Sequence, residues 1–106
     1  VSFNVVVVAT AQRDFEAIVS WIAERSPRGA ARWVAQFERT VDSLSDNPHR
    51  FASAPEADLA GRDVRQVLFK TRSGRTYRAL FDIAGSTVRV LRIRGPHQDL
   101  LDPHDF

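Results

Sequence analysis

The chain has 106 residues, 43% hydrophobic and 26% charged, which suits one domain with one core and leaves no room for a second. It has no cysteine, which excludes disulfides and thiolate-held metals, and its longest unbroken apolar run, Val5–Ala9, is far too short to span a bilayer. The formal net charge is only +2, but the charge is unevenly spread. Residues 1–58 hold six basic and eight acidic side chains, a balance of −2. Residues 59–94 hold nine basic and two acidic, a balance of +7, and residues 95–106 add Asp99, Asp102 and Asp105. A segment that basic and that rich in arginine suits a polyanionic or acidic partner, because a planar guanidinium pairs bidentately with phosphate or carboxylate.

Residues 3–9 are rich in β-branched side chains and predict a strand. No basic region precedes the apolar stretch within them, so no signal peptide is expected, and the cytoplasm is the expected location. Thr10 is the expected N-cap of a helix running to about Arg25, on which Phe15, Ile18, Val19 and Ile22 form one apolar stripe. Ser26-Pro27 breaks it, serine as a cap and proline at the first helical position. A second helix then runs to about Asp46 with Trp33, Phe37, Val41 and Leu44 on one face, and Asn47-Pro48 ends it. Two amphipathic helices joined this tightly predict an αα-hairpin. Both Trp21 and Trp33 are expected in the core rather than on a base-stacking surface.

Residues 48–62 predict a long loop, a length that often signals function. Strands follow at about 63–71, 76–83 and 87–94, separated by Ser73-Gly74 and Ala84-Gly85-Ser86, which is hairpin-turn chemistry. In the 76–83 strand Tyr77, Ala79, Phe81 and Ile83 share one face, and Arg78, Leu80 and Asp82 the other. The order is βααβββ, an α+β fold with the helical hairpin packed on one face of a mainly antiparallel four-stranded sheet. The other face is expected to be open to a partner. Residues 95–106 are expected to form an acidic, disordered tail.

Three residues stand out as candidates for chemistry: Glu56 in the loop, Arg78 in a strand and His97 after the last strand. Cleavage of RNA by its own 2′-hydroxyl needs a base, a stabiliser of the phosphorane and a proton for the leaving oxygen, and the three could fill those roles. As isolated features they have plainer readings, a solvated loop carboxylate and a structural histidine among them. Arg78 is the strongest, since a charge within an apolar strand must find compensation. His49, His97 and His104 have no close metal-ligand spacing, and neither a P-loop nor a dinucleotide fingerprint is present, so no metal or cofactor is expected.

Four passages in order, "AQRDFEAIVSWIAERSPRGAARW", "VDSLSDNPHRF", "PEADLAGRDVRQVLF" and "YRALFDIAGSTVRVLRIRG", resemble the RelE/ParE toxin superfamily over about residues 3–99. The resemblance implies the toxin of a type II toxin–antitoxin system, partnered by a cognate antitoxin and without a small-molecule cofactor or a membrane. Two activities occur on that fold. RelE- and YoeB-like members cut mRNA on the ribosome without a metal, whereas ParE-like members bind DNA gyrase and cleave no RNA. By resemblance Glu56 is the loop base, Arg78 the arginine on the scissile phosphate, and Arg65, Lys70, Arg92 and Arg94 are further basic residues for RNA or a partner. No tyrosine follows Arg94, where the nucleases carry one, and His97 stands near that place. The Ser-Pro hairpin and the missing tyrosine are more similar to the ParE branch.

Overall fold

A computed structural model describes residues 2–96, so His97 and the rest of the C-terminal tail lie outside the described residues. The described chain runs β1 (Asn4–Val7), α1 (Ala9–Arg25), α2 (Pro27–Ser43), a 3-10 turn (Pro48–Arg50), α3 (Glu56–Ala60), β2 (Arg65–Phe69), β3 (Tyr77–Ala84) and β4 (Thr87–Arg94). The sheet order is β1-β4-β3-β2. β1 lies parallel to β4, and the β4–β3 and β3–β2 pairs are antiparallel, as a βααβββ chain requires when its helices cross one face.

The first strand is shorter than its apolar run. Val8 donates its N–H to the Val90 carbonyl at 3.1 Å and accepts from Gln12 N–H at 2.9 Å, so it both ends the ladder and opens the helix. Val8 is therefore the N-cap of α1, and Thr10, the expected cap, lies inside the first turn. Ser26 fills its expected role: its hydroxyl accepts from Gly29 N–H at 3.0 Å, with Pro27 at the first position of α2. Asn47, in the left-handed region at φ 46°, turns the chain out of the hairpin.

Trp33, Phe37 and Leu44 of α2 and its exit meet Val67, Phe69, Ala79, Phe81, Val88, Val90 and Ile93 of the sheet in one buried core, with Phe15, Ile18, Val19 and Ile22 of α1 packed against it. Trp33 is the hub, with ring centroids of Phe15, Phe37, Phe69 and Tyr77 all between 5.3 and 5.7 Å away. Trp21 departs from expectation. It is 56% exposed and carries the Arg25 guanidinium 3.8 Å from its ring centroid, because its position on α1 faces away from the sheet.

Residues 48–62 are not a bare loop. They hold the 3-10 turn and α3, which Gly61 ends at φ +66°. The segment is stitched to the sheet edge through Ala54 N–H to Val64 O (2.8 Å) and Gln66 N–H to Ala52 O (3.0 Å). It roofs part of the face expected to be open. Ala54, Val64 and Leu80 are buried together there, with Ala57 and Ala60 against them. Leu80 points away from the main core, and this roof is what takes it out of water.

β4 contains a one-residue irregularity. Leu80 pairs with Arg92 but Phe81 pairs with Val90, so Leu91 is extra. The bulge keeps Arg89, Arg92 and Arg94 on the Arg78 face, although strict alternation would separate Arg89 from the other two. β1 stops at Val7, opposite Val90, and beyond that point the β4 edge needs another partner. Asp14 of α1 supplies it, accepting from the Ile93 N–H at 2.9 Å and from Arg92 Nε at 2.8 Å and Nη2 at 3.1 Å. Asp14→Ala would leave the partly buried Ile93 N–H without its acceptor and take from Arg92 the carboxylate that its Nε and Nη2 grip, and a loss of about 1–3 kcal/mol is expected in urea unfolding.

Candidate functional site

Pro55-Glu56 begins α3, and that turn drops the Glu56 carboxylate onto the sheet face from which Arg78 rises. The two form a bidentate ion pair: Arg78 Nη1 donates to Glu56 Oε1 at 2.7 Å and Nη2 to Oε2 at 2.5 Å. Arg78 Nη1 also reaches Gln66 Oε1 of β2 at 3.2 Å. The Glu56 side chain has no exposed surface and that of Arg78 only 17%. A charge pair this deeply placed holds together because two parallel charge-assisted hydrogen bonds offset the loss of water. The expected solvated loop glutamate is thus a buried counter-ion, and the compensation that Arg78 demands is Glu56.

Arg94 stands opposite Arg78 in the β3–β4 register. Burial lowers its pKa from the ordinary arginine value, and the Arg92 and Arg78 charges add to that, while Asp14 and Glu56 oppose it. Arg92 is held by Asp14, so this end of the face is an arginine cluster knitted by two carboxylates. At the other end Asp82 accepts from Arg89 Nε (2.8 Å) and Nη2 (2.5 Å) and from Arg62 Nη1 (2.7 Å). Burial pushes the Asp82 carboxyl up, but the hydrogen bonds and charges of Arg89 and Arg62 outweigh it and hold the pKa below the ordinary value. A lowered pKa means that stability is present above the unfolded value of about 3.9 and is lost as pH falls through the folded one.

The remaining candidates are dispersed. Arg65 pairs in register with Phe81 and so belongs to the helix-covered face, not to the face of Arg78. Its Nη1 donates to the carbonyls of His49 (2.9 Å) and Phe51 (2.7 Å), and its Nε lies 3.4 Å from Asp63, so it ties the 3-10 turn to the sheet edge. Lys70 is exposed just past the end of β2. His97 lies outside the described residues. Tyr77 packs against Trp33 and Phe69 on the core side, as its place in the strand implies.

Burial raises the pKa of that tyrosine above 10.0, with Arg75 opposing. It is the only tyrosine in the chain, so ultraviolet absorbance near 295 nm should show a single phenol titrating above the free value. The sign follows from linkage: the unfolded phenol ionises first, so the contribution to stability is complete below about pH 10 and falls as pH rises toward the folded pKa.

Residues 5–100 match the model for the ParE toxin of the type II toxin–antitoxin system parDE. The chain belongs to the ParE toxin family. It is also 34% identical over 92 residues to the toxin RelE1 of Caulobacter vibrioides, covering 87% of this chain and 91% of that protein. Among solved structures it is similar to the RelBE2 toxin–antitoxin complex of Mycobacterium tuberculosis, at 30% identity and TM-score 0.53, covering 90% of this chain and 99% of that one. A chain of the chromosomal ParDE system of P. aeruginosa shares the fold, with TM-score 0.68 at 19% identity, covering 89% of this chain and 96% of that one.

In this ParE-family chain the structure therefore brings together Glu56, Arg78, Arg92 and Arg94, and sets Arg65 and Lys70 apart from them. Sequence reasoning missed Asp14 and Gln66 as members of the cluster. Asp14 reads as one more helical surface charge, and only the early end of β1 gives it a backbone donor to cap. Among the described residues no helix is long and apolar enough to cross a membrane.

Proposed function

We propose that this type II toxin inhibits growth by binding an essential bacterial protein, DNA gyrase by likeness to the ParE branch, and is neutralised by a cognate antitoxin. The observation that carries this reading is the closure of Glu56 on Arg78. A general base must reach a substrate proton, and a phosphate clamp must present its donors. Here the carboxylate has no exposed surface, and its partner is the same arginine that would hold the phosphate. The match to the ParE model and the lack of a tyrosine after Arg94 support the same branch.

The similar chains come from toxin–antitoxin systems, which supports an antitoxin partner here. Such a partner would bring a segment of acidic and apolar residues to the arginine-rich surface, with a contact area large enough to offset the entropy of ordering it. An excess of purified chain should stop gyrase from supercoiling relaxed plasmid. Supercoiling that continues at saturating toxin removes gyrase as the target.

A second reading, a ribosome-dependent mRNA endonuclease, is favoured by the register that places Arg94 beside Arg78 and by the identity to a protein named RelE1. In it the scissile phosphate displaces Glu56 from Arg78, and the released carboxylate acts as the base. Primer extension on translated mRNA should then show new 5′ ends that disappear with Arg78→Lys, which keeps the charge but loses the bidentate fork. Intact transcripts during growth arrest rule this reading out.

A further inference from the structure

The two outer strands of the sheet are finished differently. Along β2 the edge is covered at its start, where Ser53 bridges Arg65 and Ala52 accepts from Gln66 N–H at 3.0 Å, and exposed Lys70 follows its end. Such cover and charge keep an edge from pairing with another chain. β1, the other outer strand, lacks these devices. Asn4-Val5-Val6-Val7 carries no charge and no proline, and among the described residues nothing pairs with its outer edge beyond Phe3. Arg89, beside Val6 in the β1–β4 register, is engaged with Asp82.

The backbone of β1 alternates in direction. Asn4 N–H donates to Ser86 O at 2.9 Å and Val8 N–H to Val90 O at 3.1 Å, so the even residues turn their amides and carbonyls toward β4. Phe3 N–H turns the other way, to Ser45 O at 2.9 Å, and Val5 and Val7 are in phase with it. Each of these two valines therefore presents an N–H and a C=O to the open edge. Between them Val6 is 47% exposed, on the face that the helices leave uncovered. A strand of this pattern complements itself. When two copies lie antiparallel with Val6 opposite Val6, Val5 of each faces Val7 of the other, and such a pair exchanges both of its hydrogen bonds. Every outward group of the two valines is then used, and the Val6 side chains meet at the symmetry axis, where a non-hydrogen-bonded pair sits closest. The same arrangement sets the Phe3 end of one β1, with exposed Asp46 next to Ser45, toward the α1 end of the other, with exposed Arg13. Opposite charges are thus brought together once on each side of the axis.

We propose that the chain pairs with a second copy of itself through β1, joining two four-stranded sheets into one continuous sheet. The axis of such a pair stands perpendicular to the sheet, so both Arg78 faces lie on one side and both helical hairpins on the other. The dimer presents the arginine cluster twice on one broad surface. A short strand pair is a small contact beside the roughly 1,200–2,000 Å² of a stable interface, so the dimer forms in the micromolar range and dissociates on dilution. This inference does not depend on which target the toxin acts upon.

Sedimentation velocity of the full chain, from about 1 μM to about 500 μM, tests it. The mass should rise from 11.9 kDa toward twice that value as concentration increases. Val6→Lys sets two like charges directly opposite each other at the axis. It should weaken the association at least about tenfold, with circular dichroism unchanged because the side chain is on the surface. A cysteine reads the register: the chain has none of its own, so one introduced thiol can bridge only to another copy. Val6→Cys should be trapped as a disulfide dimer under mild oxidation at least about tenfold faster than Asn4→Cys, whose thiols would lie about 13 Å apart along the strands. A chain that stays at 11.9 kDa throughout overturns the proposal. A dimer that survives Val6→Lys and traps Val6→Cys no faster than Asn4→Cys also overturns it, since the copies then meet elsewhere. Cross-linking of Val6→Cys only to a different protein overturns it as well, because the edge then belongs to that partner.

Discussion

Replacing Glu56 by alanine should lower the free energy of unfolding by about 3–5 kcal/mol, a large share of the roughly 5–15 kcal/mol that holds a domain of this kind together. The loss does not measure the strength of an attraction between two charges in water. It arises because Arg78, only 17% exposed and hemmed in by Gln66 and the α3 roof, keeps its charge after its counter-ion is gone. Breaking one half of a buried pair is far worse than replacing both halves. The double variant Glu56→Leu/Arg78→Met should therefore unfold within about 1 kcal/mol of the wild type, with Arg78→Met alone between the two. Urea midpoints for the three variants, with unchanged slopes, check the pattern. If Glu56→Ala cost no more than an exposed charge does, the pair would be looser than its geometry states.

The second large effect is expected at Trp33. Its ring touches Phe15, Phe37, Phe69 and Tyr77, and so links α1, α2, β2 and β3 at one point. Trp33→Ala leaves a cavity where four elements meet and should cost about 3–5 kcal/mol. Trp33→Phe should cost much less, since it keeps an aromatic ring at the centre and removes an indole N–H that has no hydrogen-bond partner among the described residues. Trp21→Ala is the contrast. It removes an exposed ring and one contact with Arg25, worth about 0.5–1 kcal/mol. Thermal unfolding of the three variants separates the two tryptophans, which the sequence treats alike.

Periodicity carried the main core well. The Phe15-Ile18-Val19-Ile22 and Trp33-Phe37-Val41-Leu44 stripes both face the sheet, and Tyr77, Ala79 and Phe81 meet them. The Ser26-Pro27 junction was legible because its chemistry is local: one hydroxyl, one N–H three residues on, and a proline that needs no donor. Trp21 was misplaced because it neighbours Ile22 in the chain, and an indole at the border of an apolar stripe can turn either way. The end of β1 was hidden for a different reason. Nothing in Val5–Ala9 marks where pairing stops; it stops where the Val8 carbonyl turns to Gln12 N–H as α1 begins, beside the β4 bulge that follows Val90.

The candidate site was legible in its members and not in its arrangement. Arg78 was readable as a charge that must be compensated, and Glu56 as a carboxylate in a special segment. That each is the other's partner depends on α3, which a reading of 48–62 as loop omits. Arg65 fell on the wrong side of the grouping because only the register with Phe81 shows which face it serves. The β4 bulge had the opposite effect, gathering Arg89, Arg92 and Arg94 onto one face where alternation would divide them.

The most direct test of the central claim, that Glu56 and Arg78 hold the fold and do not cut RNA, is growth of a bacterial host on induction of the Glu56→Leu/Arg78→Met variant without antitoxin. A folded double variant should still arrest growth, at an induction level within about twofold of the wild type, in keeping with a near-neutral pair replacement. A double variant that folds normally but permits growth, with mRNA 5′ ends present in the wild-type culture now missing, would contradict it.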